Sequence, residues 1–151
     1  MSTLVRRFIK TGIAFLFTGI GLGFWMLVRR ELFDVWPSPH LVSAHAHLVL
    51  VGFVLFMILG VALWLFPRAA RSDERYRPAL VELAYWLLLT GTIGRFVAEA
   101  SQTWSSSGFL GWVVVLGGIG QIAGIGVYFW TMWTRIRPAG SHLREAEGEK
   151  F

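Results

Sequence analysis

The chain has 151 residues, of which 55% are hydrophobic and only 15% are charged, and its formal net charge is +5. A soluble domain carries about 25% charged residues. Here the basic residues flank apolar blocks instead of forming a stripe on a polar face, which excludes nucleic acid as a partner. There is no cysteine, so disulfides, thiolate metal sites and cysteine-linked cofactors are excluded as well.

Four apolar blocks are each long enough to cross the hydrocarbon core of a bilayer, which takes about 20 residues of helix. We place these spans at residues 8–28, 44–66, 80–101 and 109–134. Backbone polar groups stay paired in lipid only within helices or closed barrels, and blocks of this length favour helices. The predicted fold is all-α, a four-transmembrane-helix bundle formed by residues 1–137. A charged, mobile cytoplasmic tail is expected at 138–151, with His142 as a solvated bystander.

The distribution of basic residues predicts the orientation of the bundle, because lysine and arginine in short loops favour the cytoplasmic side. These residues gather at the N-terminus, in the second connection and in the tail. The first connection has only Arg29 and Arg30, and the third has none. Both termini are therefore expected in the cytoplasm, and the chain is expected to be integral to a bacterial inner or plasma membrane. The first block lacks a small-residue cleavage site, so we interpret it as a retained span.

Spans one and four contain glycines at a spacing that lets another helix backbone approach closely. The pairs are Gly19-x-x-x-Gly23 in span one and Gly120-x-x-x-Gly124 in span four. Such faces occur in ordinary packing between helices of one chain and also in dimers. We interpret the face in span one as ordinary helix packing, whereas the face in span four favours a homo-oligomer, with a dimer as the expected form.

The second span begins with a cluster of histidines. Ser43 is a candidate N-cap, and His45 and His47 follow it, with His40 in the preceding connection. At about 100° per residue, His45 and His47 point roughly 200° apart, so one helix face cannot present both to one partner. Either they serve two neighbours, or one is a ligand and the other a structural hydrogen-bond donor.

The third span contains Arg95 and Glu99, four residues apart and hence within pairing distance on one helix face. An arginine in a span costs about 2.5–3.5 kcal/mol on insertion scales, and such groups usually face the bundle interior and serve function. The alternative is a self-neutralising pair close to the membrane interface.

The predicted topology brings these polar residues to one rim of the bundle, on its outer side. Neutral imidazole is a ligand for haem iron, zinc and copper, and an arginine can grip carboxylates with two hydrogen bonds. We therefore predict a cofactor site formed by His45, His47, Arg95 and Glu99. The structural alternative is that the histidines only cap the second span and hydrogen-bond to Glu99.

The second span also resembles a known helix. The run from His45-Ala-His47 through Gly52-Phe53 to Pro67-Arg68 resembles the second helix of subunit I in haem-copper oxidases, particularly the cbb3-type oxidases and nitric-oxide reductases. The stretch at 89–100 is similar to the third span of short membrane proteins related to that subunit. In the family, a histidine near the outer end of the second helix ligates the low-spin haem b. The resemblance implies His45 or His47 as that ligand.

The function expected from this resemblance is b-type haem binding for electron transfer, or for haem or gas sensing. Arg95 would contact the haem propionates and Glu99 would support the ligand. Spans one, three and four have no histidine, so we do not expect a complete oxygen or nitric-oxide reductase from this chain alone. The sixth ligand would come from a second copy of the chain or from His40, or the position would have no ligand. A two-fold dimer suits the first of these and is the sharper prediction, and a respiratory-chain protein is the implied partner. The alternatives are a zinc or copper site that uses His40, His45 or His47 together with Glu99, within one chain or across a protomer interface, or an assembly subunit without a cofactor.

Overall fold

A computed structural model describes residues 2–67, 76–136 and 148. Within them, four helices are long and apolar enough to cross a membrane, and no strand is present. This confirms the all-α, four-helix prediction. The helices are α1 (Thr3–Phe33), α2 (Pro39–Leu65), α3 (Pro78–Ser101) and α4 (Gly108–Met132), and a 3₁₀ turn at Trp133–Arg135 extends α4.

The second helix starts earlier than Ser43. Ser38 is its N-cap, with the side-chain oxygen accepting from the Leu41 backbone N–H at 3.2 Å, and Pro39 occupies the first helical turn. Proline is favoured there because its missing N–H would have no partner within the helix anyway. The expectation that Ser43 caps this helix was therefore wrong. Ser43 lies inside α2, and its hydroxyl is available for contacts between helices.

Contacts near the helix ends show that neighbouring helices are antiparallel. The carboxyl ends of α1 and α3 lie with the amino ends of α2 and α4, and we call this the histidine end of the bundle. At the opposite end, Arg7 pairs with Glu82 at 2.6 Å. Arg135, which is only 4% exposed, donates to the carbonyls of Leu63, Phe66 and Pro67 at 2.7–3.1 Å. It therefore caps the carboxyl end of α2. Which end faces the cytoplasm stays a prediction.

The core away from the histidine end is a cluster of aromatic rings to which every helix contributes one. Phe8, Phe56, Tyr85 and Tyr128 are all buried, and Phe8 packs within 5.1–6.0 Å of the other three ring centroids. Edge-to-face pairs of this kind add about 0.5–1.5 kcal/mol beyond area burial. The Tyr128 hydroxyl donates to the Leu59 carbonyl at 2.6 Å, so the phenol is satisfied inside the bundle. This cluster fixes the four helices together below the histidines.

Helices α3 and α4 approach each other through glycine. A Cβ atom added to Gly117 would lie 2.8 Å from the Gly91 carbonyl oxygen, and one added to Gly124 would lie 2.8 Å from Leu88. The Gly120–Gly124 face is thus used within the chain, against α3, which removes it as a reason to expect an oligomer. The spacing identified a real packing face, but the partner is intramolecular.

The middle of α2, from Leu48 to Leu55, is π-helical, and α-helix continues on both sides of it. A π segment has a wider turn than an α-helix and is frequent at functional sites. This one follows His47 directly, so it sets the rotation of the histidine-bearing part of α2 relative to the part anchored at Phe56. No sequence pattern predicts this segment, because the run from 48 to 55 is uniformly apolar.

Several predicted features lie outside the described residues. They are the basic positions Arg68, Arg71 and Arg75 of the second connection, and the tail from 137 to 147 with His142.

Candidate histidine-end site

His45 lies against α1. Its Nδ1–H donates to the carbonyl oxygen of Gly19 at 3.0 Å, since a carbonyl can only accept. A Cβ atom added to Gly23 would lie 2.7 Å from His45 Cε1, and one added to Gly19 would lie 2.9 Å from the Val49 side chain. The imidazole therefore occupies space that exists only because residue 23 is glycine, while glycine at position 19 makes room for Val49 beside it. With Nδ1 used, Nε2 is the nitrogen left to bind a metal or accept a proton.

His47 faces α3 instead. Its Nδ1 is 2.9 Å from the Ser43 carbonyl, one turn earlier in the same helix, and 3.6 Å from Glu99 Oε2. The Nδ1–H thus donates within α2 and lies beside a carboxylate. About a quarter of the side chain is exposed. His45 and His47 accordingly serve two different neighbours, one of the two arrangements that their angular separation allows.

Glu99 is the centre of a polar network between α2 and α3. It is 3% exposed, and its Oε1 accepts from Ser43 Oγ at 3.0 Å and from Arg95 Nε at 2.9 Å. Its Oε2 has no hydrogen-bond partner within the described part of the chain. A buried carboxylate is costly unless a charge and hydrogen bonds compensate it. Arg95 supplies that charge, so the predicted i, i+4 pair exists and also links to α2.

The Arg95 side chain lies along α4. A Cβ atom added to Gly117 would lie 3.0 Å from Arg95 Cβ, and one added to Gly118 would lie 3.7 Å from Arg95 Nη1. The glycines of α4 therefore leave room for the guanidinium stem. This contact completes a chain of neighbours that runs from α2 through Glu99 and Arg95 to α4.

The predicted site residues thus form two separate groups, and His40 lies apart from both. His45 lies with Gly19 and Gly23 of α1, while His47, Arg95 and Glu99 lie together on the α3 side with Ser43. His40 is exposed in the first turn of α2. Across residues 2–67 and 76–136, no group of three His, Asp, Glu or Cys side chains is placed to hold a metal ion. A zinc or copper centre within one chain gains no support from this arrangement.

Sequence reasoning missed three contributors. Gly19 and Gly23 were assigned to general helix packing, although they form the pocket for His45. Ser43 was assigned to a cap, although it donates to Glu99. The four-residue spacing of the two glycines was a usable signal, because small residues opposite a histidine are what close imidazole packing requires.

Comparison with known families settles the relationship. The family model described as Cytochrome C and Quinol oxidase polypeptide I matches residues 3–145, which is nearly the whole chain. The chain belongs to this family. No curated protein and no solved structure matches it.

Membership in the oxidase subunit I family confirms the resemblance seen in the second span. Together with the four spans, it makes this an integral membrane protein related to the haem-copper oxidases. The family implies haem cofactors in general.

Proposed function

We propose that this protein binds a b-type haem in the membrane, with His45 as an axial ligand, and that it serves in electron transfer. The observation that carries the proposal is the hydrogen bond from His45 Nδ1–H to the Gly19 carbonyl. Histidines that ligate metals almost always donate their other ring N–H to a carbonyl or carboxylate, which fixes the tautomer and the ring orientation. The family relationship then supplies the kind of metal group to expect.

His45 fits this role better than His47. Both rings have Nδ1 engaged, but His47 donates to its own helix and lies beside a carboxylate that Arg95 neutralises. The His45 ring is held by a different helix and is seated in a cradle that a Cβ atom on Gly23 would fill. Because the hydrogen bond to α1 holds the His45 ring, the ring keeps its orientation even if α2 rotates slightly about its own axis. We assign His47 and Glu99 to holding α2 against α3.

The donor set fits haem iron, because neutral imidazole nitrogen is a standard axial ligand. When bound, the haem supplies one-electron chemistry, and the protein supplies ligation, orientation and an apolar surround. Arg95 was expected to contact the propionates. Its Nε is committed to Glu99, and it lies on the α3 side of α2, away from the Gly19–Gly23 cradle. We therefore assign Arg95 to the support of Glu99.

We infer that the second axial ligand is His45 of another copy. Among the described residues, no other histidine lies on the α1 side of α2. A two-fold axis would place the same histidine of each protomer on opposite faces of one haem. This homodimer would accept electrons from a respiratory-chain partner. If the second position stayed open instead, the haem would bind small gases, which is the sensing alternative.

The test uses a matched pair of variants, His45→Gln and His47→Gln, in protein purified in detergent and titrated with haem. Both substitutions have the same chemistry on the same helix, and glutamine can still donate a hydrogen bond. We expect wild type and His47→Gln to develop a Soret band and His45→Gln to lose it. The opposite pattern would move the ligand to His47, and a band unaffected by either change would refute the histidine assignment.

Two further measurements separate electron transfer from sensing. A reduced haem with two histidine ligands resists carbon monoxide, whereas an open position binds it and shifts the Soret band. Native mass measurement should give one haem per two chains. One haem per chain together with carbon monoxide binding would contradict the dimeric electron carrier and favour a gas sensor.

A further inference from the structure

A second feature of the histidine end is a cavity of about 270 Å³ located one helical turn from His45, toward the end of the bundle. It lies where the α1–α2 connection and the α3–α4 connection meet. Ser38 Oγ and Thr103 Oγ1 are 2.9 Å apart, so the two connections are tied together at its wall. The wall combines three indoles (Trp25, Trp36 and Trp104) with apolar Met26 and Leu41, these two hydroxyls and one cation, Arg29.

Arg29 gives the cavity an uncompensated positive charge. Its neighbour Arg30 forms an ion pair with Glu31 at 2.7 Å, whereas no carboxylate within residues 2–67 and 76–136 pairs with Arg29. The Arg29 guanidinium instead lies over the Trp25 ring, 5.0 Å from its centroid. No acidic residue lines the cavity. The amino end of α2, at Ser38, is also at the wall, and its partial charge has the same positive sign.

The indoles give the cavity an interfacial character. Trp36 and Trp104 are 72% and 75% exposed, and Trp25 also reaches the surface. Tryptophan is enriched at the level of lipid headgroups, where its apolar ring and N–H are both accommodated. Leu41 and Met26 form the deeper, apolar wall. A ligand that fits this lining has an anionic group for Arg29 and an apolar part to lie against the rings.

We propose that this cavity binds the headgroup phosphate of an anionic phospholipid, with Arg29 as the phosphate ligand. The volume of about 270 Å³ suits a headgroup and not a whole lipid, and the acyl chains would run along the exposed apolar flank of α1. A charged hydrogen bond from a guanidinium to a phosphate is short, strong and geometrically specific. The proposal does not rest on haem binding, because neither His45 nor the glycines that it contacts are among the residues that line the cavity.

The experiment is native mass spectrometry of the purified full-length protein in detergent, with phosphatidylglycerol and phosphatidylcholine offered in equal amounts and bound haem recorded in the same spectra. Arg29→Gln is compared with Arg30→Gln, which removes the same charge from the adjacent residue. Wild type and Arg30→Gln should retain phosphatidylglycerol preferentially. Arg29→Gln should bind phosphatidylglycerol at least about tenfold more weakly than wild type, as expected for loss of one charged hydrogen bond. Thermal unfolding of all three proteins checks that the fold is unchanged.

Several outcomes would overturn the proposal. Equal losses in the two arginine variants would mean that the attraction is only general surface charge. Equal retention of the two lipids would refute a preference for anionic phospholipid, because phosphatidylcholine carries the same phosphate with no net charge. Displacement of the lipid by millimolar inorganic phosphate would identify a site for soluble anions. If Arg29→Gln weakens haem binding and leaves lipid binding unchanged, Arg29 serves the haem carboxylates instead.

Discussion

Replacing Gly23 by alanine tests whether the packing of His45 against α1 positions it as the haem ligand that we propose. The added Cβ would lie 2.7 Å from His45 Cε1, whereas ordinary contacts begin near 3.4 Å, so the ring must move by about 0.7 Å. A shift of that size directed away from α1 stretches the 3.0 Å bond to the Gly19 carbonyl past about 3.5 Å, where it no longer holds. Loss of that bond costs about 0.5–1.5 kcal/mol. Removing a partner that orients a metal ligand typically weakens metal binding by about 10–100-fold.

The control for this variant is Gly21→Ala on the same helix, because a Cβ atom at Gly21 meets nothing within 4 Å. Haem affinity is measured by Soret titration and helix content by circular dichroism, with each protein in the same detergent. We expect Gly23→Ala to lose at least tenfold in haem affinity with normal helix content, and Gly21→Ala to match wild type. Equal haem affinity in the two variants would refute the claim that the α1 cradle positions His45.

Three other predictions concern the stability of the bundle, followed by denaturant or thermal unfolding in detergent. Arg95→Gln leaves the buried Glu99 carboxylate without its cation and should lower the free energy of unfolding by about 3 kcal/mol, while the double variant with Glu99→Gln should recover most of that loss. Gly117→Ala should lower the free energy of unfolding by about 1–3 kcal/mol because α3 and α4 must separate. In Gly111→Ala the added Cβ meets nothing within 4 Å, so its free energy of unfolding should stay within about 0.5 kcal/mol of wild type. Arg135→Met leaves the last carbonyls of α2 without their donor and should cost about 1.5–3 kcal/mol.

Each of these has a contrary result. If the double variant at positions 95 and 99 is as unstable as Arg95→Gln, the damage does not come from an uncompensated carboxylate. Equal behaviour of the two glycine variants would mean that the α3–α4 contact is not close-packed. If Arg135→Met unfolds like wild type, water rather than the guanidinium satisfies the end of α2.

The fold was predictable because hydropathy alone decides it. Uninterrupted apolar blocks of about 20 residues have few alternatives to a membrane helix, since backbone groups must pair internally in lipid. The ends were less predictable: helix α1 reaches Phe33 through the charged pair Arg29-Arg30, and helix α2 begins at Pro39. Charged residues beyond the hydrocarbon region continue a helix without penalty, so a boundary drawn at the last apolar residue falls short.

The sequence predicted which residues lie at the candidate site, but not which neighbouring helix each of them contacts. Periodicity placed His45 and His47 on different faces of one helix, and the four-residue spacing predicted the pair of Arg95 with Glu99. Which neighbour each histidine meets depends on how α2 is rotated in the bundle. That rotation follows from interhelical packing and from the π segment at Leu48–Leu55, neither of which has a signature in a run of valines and leucines.

The position of the His45 ring is therefore a property of the whole bundle. On one side, the Ser43 hydroxyl donates to the Glu99 carboxylate of α3, which also accepts from Arg95 beside α4. On the other side, the Gly19 carbonyl of α1 receives the imidazole N–H. Because α2 is held from two opposite directions, it cannot rotate to relieve a strain on one side without losing hydrogen bonds on the other. A histidine fixed in this way presents Nε2 in a constant direction, which is what an axial ligand between two identical chains requires.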